Sequence, residues 1–547
     1  MASSSASCNR VSRRVHSPNP LPGLCCRLAA MFTILWALPT YAAGPYDLAF
    51  STYFGGSEWE HARDVCADGD GNVFVCGGTA SRDFPTTPGA YDRTFNFGDS
   101  AGDGILAKLS PASTITVDPG TTRQTISGWE AVAFALEPGD PAFANFKDTL
   151  FDLAVNDIGI NRVRLEVRSG VENTDDNWSA YQAGTIDYPT WRARRYATTN
   201  DNADPHSIDG SGFHFSEMDN TIDRIVNPLR AALAAKGEKL VVNVNYVAFT
   251  AQITSGVYIH SDPAEYAEFV LATYLHLQEK YGWVPDLWEV LLEPDNVSQW
   301  NGRLLGEALV ASAERLRVAG FEPAFVAPSN TNMGNAVRDF DLMIAVPGVL
   351  PVLREFSYHR YGGVSLANLR AIAARAGQHG LDTAMLEWWS NANGYPTLHE
   401  DLKIGNNSAW EQGVLAGEIG AEMALYVIDH ADPAHPKVLL GDKTKYLRQY
   451  YKFIRPGAVR VEASSQDPSF DPLAFINATG GCVVVVKCDA AGAFSIGGLP
   501  PGTYGIKYTT ASQFDADLPD QTIGPGQPLL AQIPQTGVLT VSAKPAP

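Results

Sequence analysis

The segment Leu287-Trp-Glu-Val-Leu-Leu-Glu293-Pro294 is an apolar run that ends in a glutamate followed by a proline. A second run, Asp382-Thr-Ala-Met-Leu-Glu387-Trp388-Trp389, also ends in a glutamate, and the two glutamates lie 94 residues apart. That separation equals about three strand–helix units of roughly 30 residues each. Because the strands of a (β/α)8 barrel bring their carboxyl ends to one face, the pattern predicts that the two glutamates face each other there.

Strand-like and helix-like segments alternate around these two runs, from Ser113 to about Ala434. Helical spacing of apolar residues is clear in Glu217–Lys236 and Pro263–Tyr281. The number of strands and the length of the region are those of a (β/α)8 barrel, which we assign to residues 113–442. The eight candidate strands are Thr125–Ala133, Asn161–Val167, Leu240–Tyr246, Leu287–Glu293, Pro323–Ala327, Glu355–His359, Thr383–Glu387 and Glu422–Ile428.

The regions next to the barrel have a different character. From Lys443 the chain breaks into short β-rich runs separated by turn residues, so we assign residues 443–547 to a β-sandwich. The strand-like run Thr114–Asp118 either opens the barrel or joins this sandwich. Within the barrel, Arg168–Ser216 carries little periodicity. A segment of this length in a compact domain is usually functional, and we expect it to form one wall of the cleft.

The first 43 residues have the pattern of an export signal. Arginines precede the apolar run Leu28–Leu38, which is too short to span a bilayer comfortably, and small residues follow at Ala42 and Ala43. We therefore expect cleavage there and a secreted protein, either extracellular, periplasmic or on the cell surface. No later apolar stretch is long enough for a membrane span, and the sequence does not indicate an oligomeric state.

The overall composition is that of a soluble globular protein with an excess of acidic residues. The formal net charge of −20 argues against partners such as nucleic acids and anionic membranes, which select basic surfaces. After removal of the signal, Cys66, Cys76, Cys482 and Cys488 remain. They form either two hairpin disulfides, each between the neighbours in sequence, or four buried thiols.

Two carboxyl groups on opposite sides of a cleft can cleave a glycosidic bond. Retaining glycosidases place them about 5–5.5 Å apart, whereas inverting enzymes leave a larger gap for water. The sequence contains no G-x-S-x-G elbow, no Walker loop, no H-E-x-x-H motif and no zinc spacing. We therefore expect a carbohydrate as the substrate, with neither a cofactor nor a metal ion taking part.

Motifs at the predicted strand ends extend this interpretation. They are Ile126-Ser-Gly-Trp129-Glu-Ala, Gly159-Ile-Asn-Arg-Val-Arg164-Leu, Trp288–Pro294, Tyr358-His359-Arg-Tyr361, Leu386-Glu387-Trp388 and Tyr451–Val461. Together they resemble the motifs of glycoside hydrolase clan A, most of all family 30, over roughly residues 113–500. The resemblance implies a (β/α)8 TIM barrel with an accessory β-sandwich, and hydrolysis of a β-linked glycan with retention of configuration.

The resemblance also implies roles for single residues. Glu293 corresponds to the acid/base and Glu387 to the nucleophile, while Arg164 lies where an arginine keeps the nucleophile ionised. His359 and Tyr361 would orient the nucleophile or contact the sugar, and tryptophans would stack on sugar rings. The full set of predicted substrate-binding residues is Trp129, Arg164, Asn245, Tyr246, Asn296, His359, Tyr361 and Trp388.

The chain departs from the family pattern directly before the acid/base. Clan A enzymes carry an asparagine there that contacts the sugar 2-hydroxyl, and this chain has Leu292. Three explanations remain open: Asn296 or Asn245 takes over the contact, the substrate lacks it, or the activity is weak or lost. The last explanation would make the protein a catalytically silent barrel that binds glycan at a cell surface.

A second resemblance concerns residues 46–110. The elements Ser51-Thr-Tyr-Phe-Gly-Gly56 and Asp83-Phe-Pro-Thr-Thr87 are similar to those of one unit of the bacterial seven-bladed propeller repeat. The resemblance implies a short all-β segment before the barrel. Only one copy of the repeat is present, and one blade cannot close a propeller.

Overall fold

The computed structural model describes residues 54–67, 72–86, 90–96, 102–109, 113–389 and 394–545. The predicted export signal, residues 1–43, lies outside these ranges. The chain divides into two compact units, residues 1–112 and residues 113–547. In the described part of the chain, no helix combines the length and the apolar character that a membrane crossing requires.

The first unit contains a three-stranded antiparallel sheet. Its strands, in spatial order, are β1 (Glu60–Ala67), β2 (Val73–Thr79) and β3 (Asp103–Leu109). Propeller blades usually have four strands. The assignment of residues 46–110 to a propeller repeat therefore remains a prediction.

The second unit begins with a long strand and continues with alternating strands and helices. Its first eleven strands are β4 (Ser113–Thr125), β5 (Gly128–Ala135), β6 (Arg162–Arg168), β7 (Val241–Val247), β8 (Leu287–Glu289), β9 (Phe325–Asn332), β10 (Leu353–Gly362), β11 (Asp382–Met385), β12 (Asn407–Glu418), β13 (Tyr426–Asp429) and β14 (Lys437–Leu440). The helices are α1 (Phe143–Asp152), α2 (Asn177–Gln182), α3 (Tyr188–Arg194), α4 (Ser216–Thr221), α5 (Asn227–Ala234), α6 (Pro263–Tyr281), α7 (Gly302–Val318), α8 (Met333–Ile344), α9 (Leu366–His379), α10 (Gly394–Glu400) and α11 (Thr444–Tyr451).

Strands β5 to β12 form a closed barrel of eight parallel strands. They pair in sequence order from β5 to β11, and β12 pairs with both β11 and β5, which closes the sheet. The predicted (β/α)8 barrel is therefore confirmed. The prediction that Glu422–Ile428 forms the eighth strand is wrong: β12 is the eighth strand. Residues 426–429 instead form β13, which extends the sheet outside the barrel with the antiparallel β14.

Helix ends in the barrel follow from local sequence. Before α6, the Asp262 side chain accepts a hydrogen bond from the Ala264 amide, and Pro263 occupies the first helical position. The helix ends at Gly282, whose φ of 73° is the left-handed conformation that glycine adopts without strain. Between them, a face that includes Phe269 is buried against the barrel. Such caps define where each helix stops and the next strand begins.

The amino-terminal part of the barrel interior is closed by buried charges. The Arg162 guanidinium contacts Glu130 Oε2 at 2.6 Å and the two carboxylate oxygens of Glu355 at 2.7 and 3.0 Å. All three side chains are almost completely buried. Buried charges require such pairing, because an isolated charge in a protein interior is strongly unfavourable.

The remaining strands form a nine-stranded sheet that includes β4. Strand β4 pairs antiparallel with β15 and parallel with β18. The run Thr114–Asp118 thus lies in this second sheet and not in the barrel. The other strands are β15 (Val459–Ser465), β16 (Phe470–Ile476), β17 (Cys482–Cys488), β18 (Gly492–Gly497), β19 (Gly502–Thr510), β20 (Ala516–Ile523), β21 (Leu529–Ile533) and β22 (Gly537–Ala543).

Alternate residues of this sheet belong to two different cores. Phe475 and Val485 join the large apolar cluster that contains the barrel helices, whereas Ala474 and Val484 line the interior of the sandwich. This alternation is the two-residue period of a strand. One face of the sheet therefore packs on the barrel, and the two parts form one compact unit.

The structure also excludes one of the two proposed disulfides. Cys482 and Cys488 are the first and last residues of β17, so about 20 Å separates them at a strand rise of about 3.3 Å per residue. A bridge requires Cα atoms within about 7 Å, so the hairpin disulfide proposed for this pair is wrong. Cys66 and Cys76 lie on the paired strands β1 and β2.

Candidate active site

Glu293 and Glu387, which end the two apolar runs, lie close together at the carboxyl end of the barrel. Glu293 follows β8 and Glu387 follows β11, and only 8% and 7% of their surfaces are exposed. One carboxylate oxygen of each and one ring nitrogen of His359 all lie within 4.8 Å of one another. The sequence prediction that these two carboxyl groups face each other across the barrel therefore agrees with the geometry.

Glu293 has an unusual backbone conformation. Its φ of 52° and ψ of 62° lie in the left-handed region, which residues with a side chain adopt rarely and at an energetic cost. The Asn296 amide donates to Glu293 Oε2 at 2.8 Å, and His359 Nδ1 lies 3.1 Å from Oε1. The turn and these two contacts hold the carboxyl group in one orientation.

Glu387 is surrounded by hydrogen-bond donors. Arg164 Nη2 donates to Glu387 Oε2 at 2.5 Å, and Tyr361 donates its hydroxyl proton to Oε1 at 2.8 Å. Arg164 also donates to the backbone carbonyl of Leu386 at 2.7 Å. Burial raises the pKa of Glu387, but the positive charges of Arg164 and His359 outweigh it and leave the pKa below its ordinary value. The carboxylate is therefore ionised at neutral pH.

His359 lies between the two carboxylates and is completely buried. Burial lowers its pKa, whereas the hydrogen bond to Glu293 and the charges of Glu387 and Glu293 raise it, with a net shift above the ordinary value. The second ring nitrogen, Nε2, is buried without a hydrogen-bond partner. His359 thus contacts Glu293 through Nδ1, and not the predicted nucleophile Glu387.

Arg164 has a second acidic neighbour that sequence reasoning missed. Its Nη2 lies 3.2 Å from Glu411 Oε1 on β12, and both side chains have no exposed surface. Burial raises the pKa of Glu411 well above its usual range, although Arg164 opposes this effect. The only sequence signal was a glutamate inside a strand, and it was overlooked because Asn407–Glu418 lacks the apolar run expected of a barrel strand.

Trp129 and Tyr246 are core residues, which corrects their predicted role in substrate binding. The Trp129 indole stacks on Tyr451 with ring centroids 4.5 Å apart, and its Nε1 donates to the Ile454 carbonyl at 2.8 Å. The Tyr246 hydroxyl lies 2.7 Å from His260 Nδ1. Neither residue has exposed surface, so neither can stack on a sugar ring.

The remaining predicted residues have different exposures. Tyr361 is 42% exposed, Trp388 is half-buried and Asn296 is exposed, so all three border the opening above the carboxylates. Asn245 on β7 is fully buried, and neither atom of its amide has a hydrogen-bond partner. Trp389, one of the tryptophans predicted to stack on sugar rings, is 43% exposed, and its backbone amide donates to the Tyr361 hydroxyl at 3.2 Å.

Leu292 packs into a small apolar cluster beside Glu293. Its neighbours there are Tyr196 and Val247, and only 4% of its own surface is exposed. Tyr196 belongs to the long segment 168–216, which contains the short helices α2 and α3. The segment thus contacts the residue next to Glu293, in agreement with its predicted position at the cleft.

A separate cleft of about 350 Å³ lies beside the β13–β14 hairpin. None of the predicted site residues lines it. Its walls are Gly394, Tyr395, Gly420, Ala421, Glu422, Ala424, Val427, Gly441, Asp442, Lys443 and Tyr446.

Glu293, His359 and Glu387 form the one group of three in the described ranges with the spacing of metal ligands. Hydrogen bonds from Arg164, Tyr361 and Asn296 already engage both carboxylates. A bound cation would also meet the positive charge of Arg164. The donor set is therefore better suited to two hydrogen-bonded carboxyl groups than to a metal ion.

Comparison with solved structures shows several proteins of the same architecture. A family 30 endoxylanase from Clostridium papyrosolvens C71 superimposes with a TM-score of 0.57 at 17% identity, over 79% of this chain and 100% of that chain. The chain shares its fold with glycoside hydrolases of family 30. The catalytic domain of family 30 xylanase C from Talaromyces cellulolyticus has a TM-score of 0.56 at 15% identity, over 79% of this chain and 100% of that chain.

An endo-β-1,6-glucanase is also similar, with a TM-score of 0.53 at 14% identity, over 81% of this chain and 97% of that chain. No model of a protein family matches the chain, and no curated protein matches it. At these identities the similarity establishes the barrel with its accessory sheet. The chemistry must be argued from the residues of the site.

Proposed function

We propose that this protein is a retaining glycoside hydrolase that cleaves β-linked glycans by double displacement. The observation that carries the proposal is the approach of one oxygen of Glu293 and one oxygen of Glu387 to within 4.8 Å. Retaining enzymes space their carboxyl groups about 5–5.5 Å apart, and inverting enzymes about 6.5–9.5 Å. The shorter spacing leaves no room for a water molecule between the carboxylate and the sugar.

Glu387 is suited to be the nucleophile. Its carboxylate is kept ionised by Arg164, which binds Oε2, and the Tyr361 hydroxyl donates to the other oxygen, Oε1. Attack on the anomeric carbon would form a glycosyl–enzyme ester and release the leaving group. Because Arg164 has no exposed surface, it acts through Glu387 and does not bind the sugar.

Glu293 is suited to be the acid/base. It would first donate a proton to the glycosidic oxygen, and then accept one from the water that hydrolyses the ester. Asn296 and His359 each bind one of its carboxyl oxygens, so the group points at the same place in both steps. Preorganisation of this kind lowers the barrier because no reorientation is needed at the moment of transfer.

The sugar would enter beside exposed aromatic side chains. Tyr361 and Trp389 are each more than two-fifths exposed next to Glu387, and Trp388 lies between them and the core. Aromatic faces suit the C–H faces of pyranose rings. The similar structures named as xylanases and as an endo-β-1,6-glucanase direct the choice of substrates to xylans and β-glucans. The export-like residues 1–43 support a secreted enzyme.

The test compares the wild type with Glu387→Gln on aryl β-xylosides, aryl β-glucosides, xylan and β-1,6-glucan. We expect turnover of at least one substrate by the wild type and a fall in kcat of at least about 10³-fold in the variant. Proton NMR of the first product should show the β-anomer. An α-anomer as first product would refute retention, and the absence of turnover on all substrates would refute the hydrolase assignment.

A silent glycan-binding barrel is the second candidate. Leu292 favours it, because this position packs in an apolar cluster and offers no hydrogen bond to a sugar hydroxyl. In that case the wild type and Glu387→Gln would bind the same xylo- or gluco-oligosaccharides with equal affinity in calorimetry, and neither would release product.

A further inference from the structure

We propose that Glu411, on the eighth barrel strand, is a positioning residue that controls how strongly Arg164 holds Glu387. The inference rests on the proposed function of Glu387 as nucleophile. It concerns a group that makes no contact with the sugar, because Glu411 has no exposed surface. Its effect would pass entirely through the shared arginine.

One nitrogen of Arg164, Nη2, contacts both Glu387 Oε2 at 2.5 Å and Glu411 Oε1 at 3.2 Å. The other terminal nitrogen, Nη1, donates to the Leu386 carbonyl, and Nε is buried without a hydrogen-bond partner. Any increase in attraction to Glu411 therefore competes with the contact to Glu387.

Glu411 has no hydrogen bond that would stabilise a negative charge on its carboxyl group. Neither of its carboxyl oxygens accepts a hydrogen bond. A buried carboxylate without hydrogen bonds is costly, and such a group normally keeps its proton. A neutral Glu411 leaves the Arg164 charge to Glu387.

One arginine, three carboxyl groups and a tyrosine hydroxyl surround Glu411. They are Arg164 on β6, Glu130 on β5, Glu289 on β8, Glu387 after β11, and the Tyr451 hydroxyl on α11. Glu130 is the partner of Glu411 in the register of the neighbouring strands, and it is already paired with Arg162. The excess of carboxyl groups around one arginine raises the pKa of Glu411 in addition to the effect of burial.

These contacts predict what happens when Glu411 ionises. The new charge attracts Arg164 away from Glu387 and repels the Glu387 carboxylate directly, so the nucleophile is held less firmly. Part of the loss of activity at alkaline pH should therefore come from Glu411, since Glu411 is neutral at lower pH. The acid side of the pH profile depends on Glu387 itself and should not change.

The experiment uses Glu411→Gln, which keeps the shape of the side chain but cannot ionise. The matched control is Glu268→Gln on α6, because Glu268 is also fully buried with a pKa raised to about 8, but faces Arg315 and not Arg164. We expect the alkaline limb of kcat/KM to move upward by about one pH unit or more in Glu411→Gln, and to coincide with the wild type in Glu268→Gln. A Glu411→Gln profile that superimposes on the wild type overturns the proposal.

A second measurement does not depend on turnover. The folded-state pKa of Glu411 lies above its unfolded value, so its burial destabilises the protein increasingly as the pH rises above the ordinary carboxyl pKa. The stability gained by Glu411→Gln, measured by thermal unfolding, should therefore grow with pH. The gain should shrink in a Glu387→Gln background, because one of the repelling carboxylates is then absent.

The two measurements separate failure of the function from failure of the inference. If no glycoside is hydrolysed but the pH-dependent gain and its dependence on Glu387 are found, the coupling stands and the hydrolase assignment fails. If the gain is independent of pH, or identical in both backgrounds, Glu411 is not coupled to Glu387 and the inference fails, whether or not the protein is active.

Discussion

At the scale of single residues, the charge on Glu387 depends on a guanidinium that has no access to water. Arg164 reaches both the Leu386 carbonyl and Glu387 through the two ends of its planar fork. Lysine can place its charge there but cannot make both contacts. Arginine suits this position because it can donate to the Leu386 carbonyl and to the Glu387 carboxylate at the same time.

Arg164→Lys should raise the pKa of Glu387 towards its ordinary value and lower kcat/KM by about 10²–10³-fold, since disruption of a buried ion pair costs about 3–5 kcal/mol. The acid limb of the pH profile should move upward, because a larger fraction of Glu387 is then protonated at a given pH. Arg303→Lys, on the exposed face of α7, is the control and should leave the profile unchanged. An unchanged acid limb in Arg164→Lys would contradict the role given to Arg164.

The contribution of His359 to the stability of the fold should decrease as the pH rises. Its folded-state pKa is raised above about 6.5, so its contribution to stability is complete below that pH and is lost as the pH rises through the raised value. In His359→Gln this loss should disappear from thermal unfolding curves measured between pH 6 and pH 9. A variant whose curves keep the pH dependence of the wild type would show that another group is responsible.

Most of the site residues were predictable because they lie near or just after the carboxyl ends of barrel strands. Glu293, His359 and Glu387 follow or end apolar runs, and parallel strands deliver such ends to one face. The role of Trp129 was predicted wrongly because the sequence pattern around a tryptophan near a strand end is the same whether its side chain faces the cleft or the core. Glu411 was missed because its partner, Arg164, is distant in sequence and the pairing exists only in the closed barrel.

At the scale of elements, β12 shows why the eighth strand was placed wrongly. Its sequence, Asn407-Ser-Ala-Trp-Glu-Gln-Gly-Val-Leu-Ala-Gly-Glu418, mixes polar and apolar residues without a regular period. The polar residues are nevertheless buried, because Glu411 faces the charged interior and Asn407 contacts Tyr358. The apolar stretch around Ile428 resembled a barrel strand more closely. It forms β13, which pairs with the last three residues of β12, Ala416–Glu418, outside the barrel.

Trp129, in the first barrel strand β5, should contribute to stability and not to substrate binding. Trp129→Phe removes the hydrogen bond to the Ile454 carbonyl and part of the stacking surface on Tyr451. We expect the free energy of unfolding to fall by about 1–3 kcal/mol, while KM for the best substrate stays the same. Denaturant unfolding and steady-state kinetics check the two parts. A rise in KM without a loss of stability would restore the substrate-binding role first assigned to this residue.

At the scale of the whole molecule, the barrel and the nine-stranded sheet depend on each other. Arg448 on α11 bridges them: its Nη2 lies 2.5 Å from Asp157 Oδ1 beside the barrel, and its Nη1 lies 2.7 Å from Asp515 Oδ1 in the sheet. The face of the sheet that includes Phe475 completes the apolar cluster of the barrel. The two parts therefore share a core.

Phe475→Ala tests this dependence. Removal of a fully buried phenylalanine costs about 3–5 kcal/mol, and here the loss should affect the barrel as well as the sheet. We expect the midpoints of activity loss and of β-sheet unfolding to fall together in denaturant. Phe494→Ala, which removes a side chain from the sandwich interior, provides a matched comparison. Separate midpoints in Phe475→Ala would show that the barrel folds without the sheet.

The neutral carboxyl group beside Arg164 has a practical consequence for protein engineering. If Glu387 were replaced by serine or glycine, the buried arginine would lose its partner, and a barrel with an uncompensated interior cation would be destabilised. Here Glu411 could release its proton and restore neutrality within the same cavity. On the proposed mechanism, we therefore expect a variant without Glu387 to fold and to accept α-glycosyl fluorides as donors. Such a variant would be a promising catalyst for the synthesis of oligosaccharides.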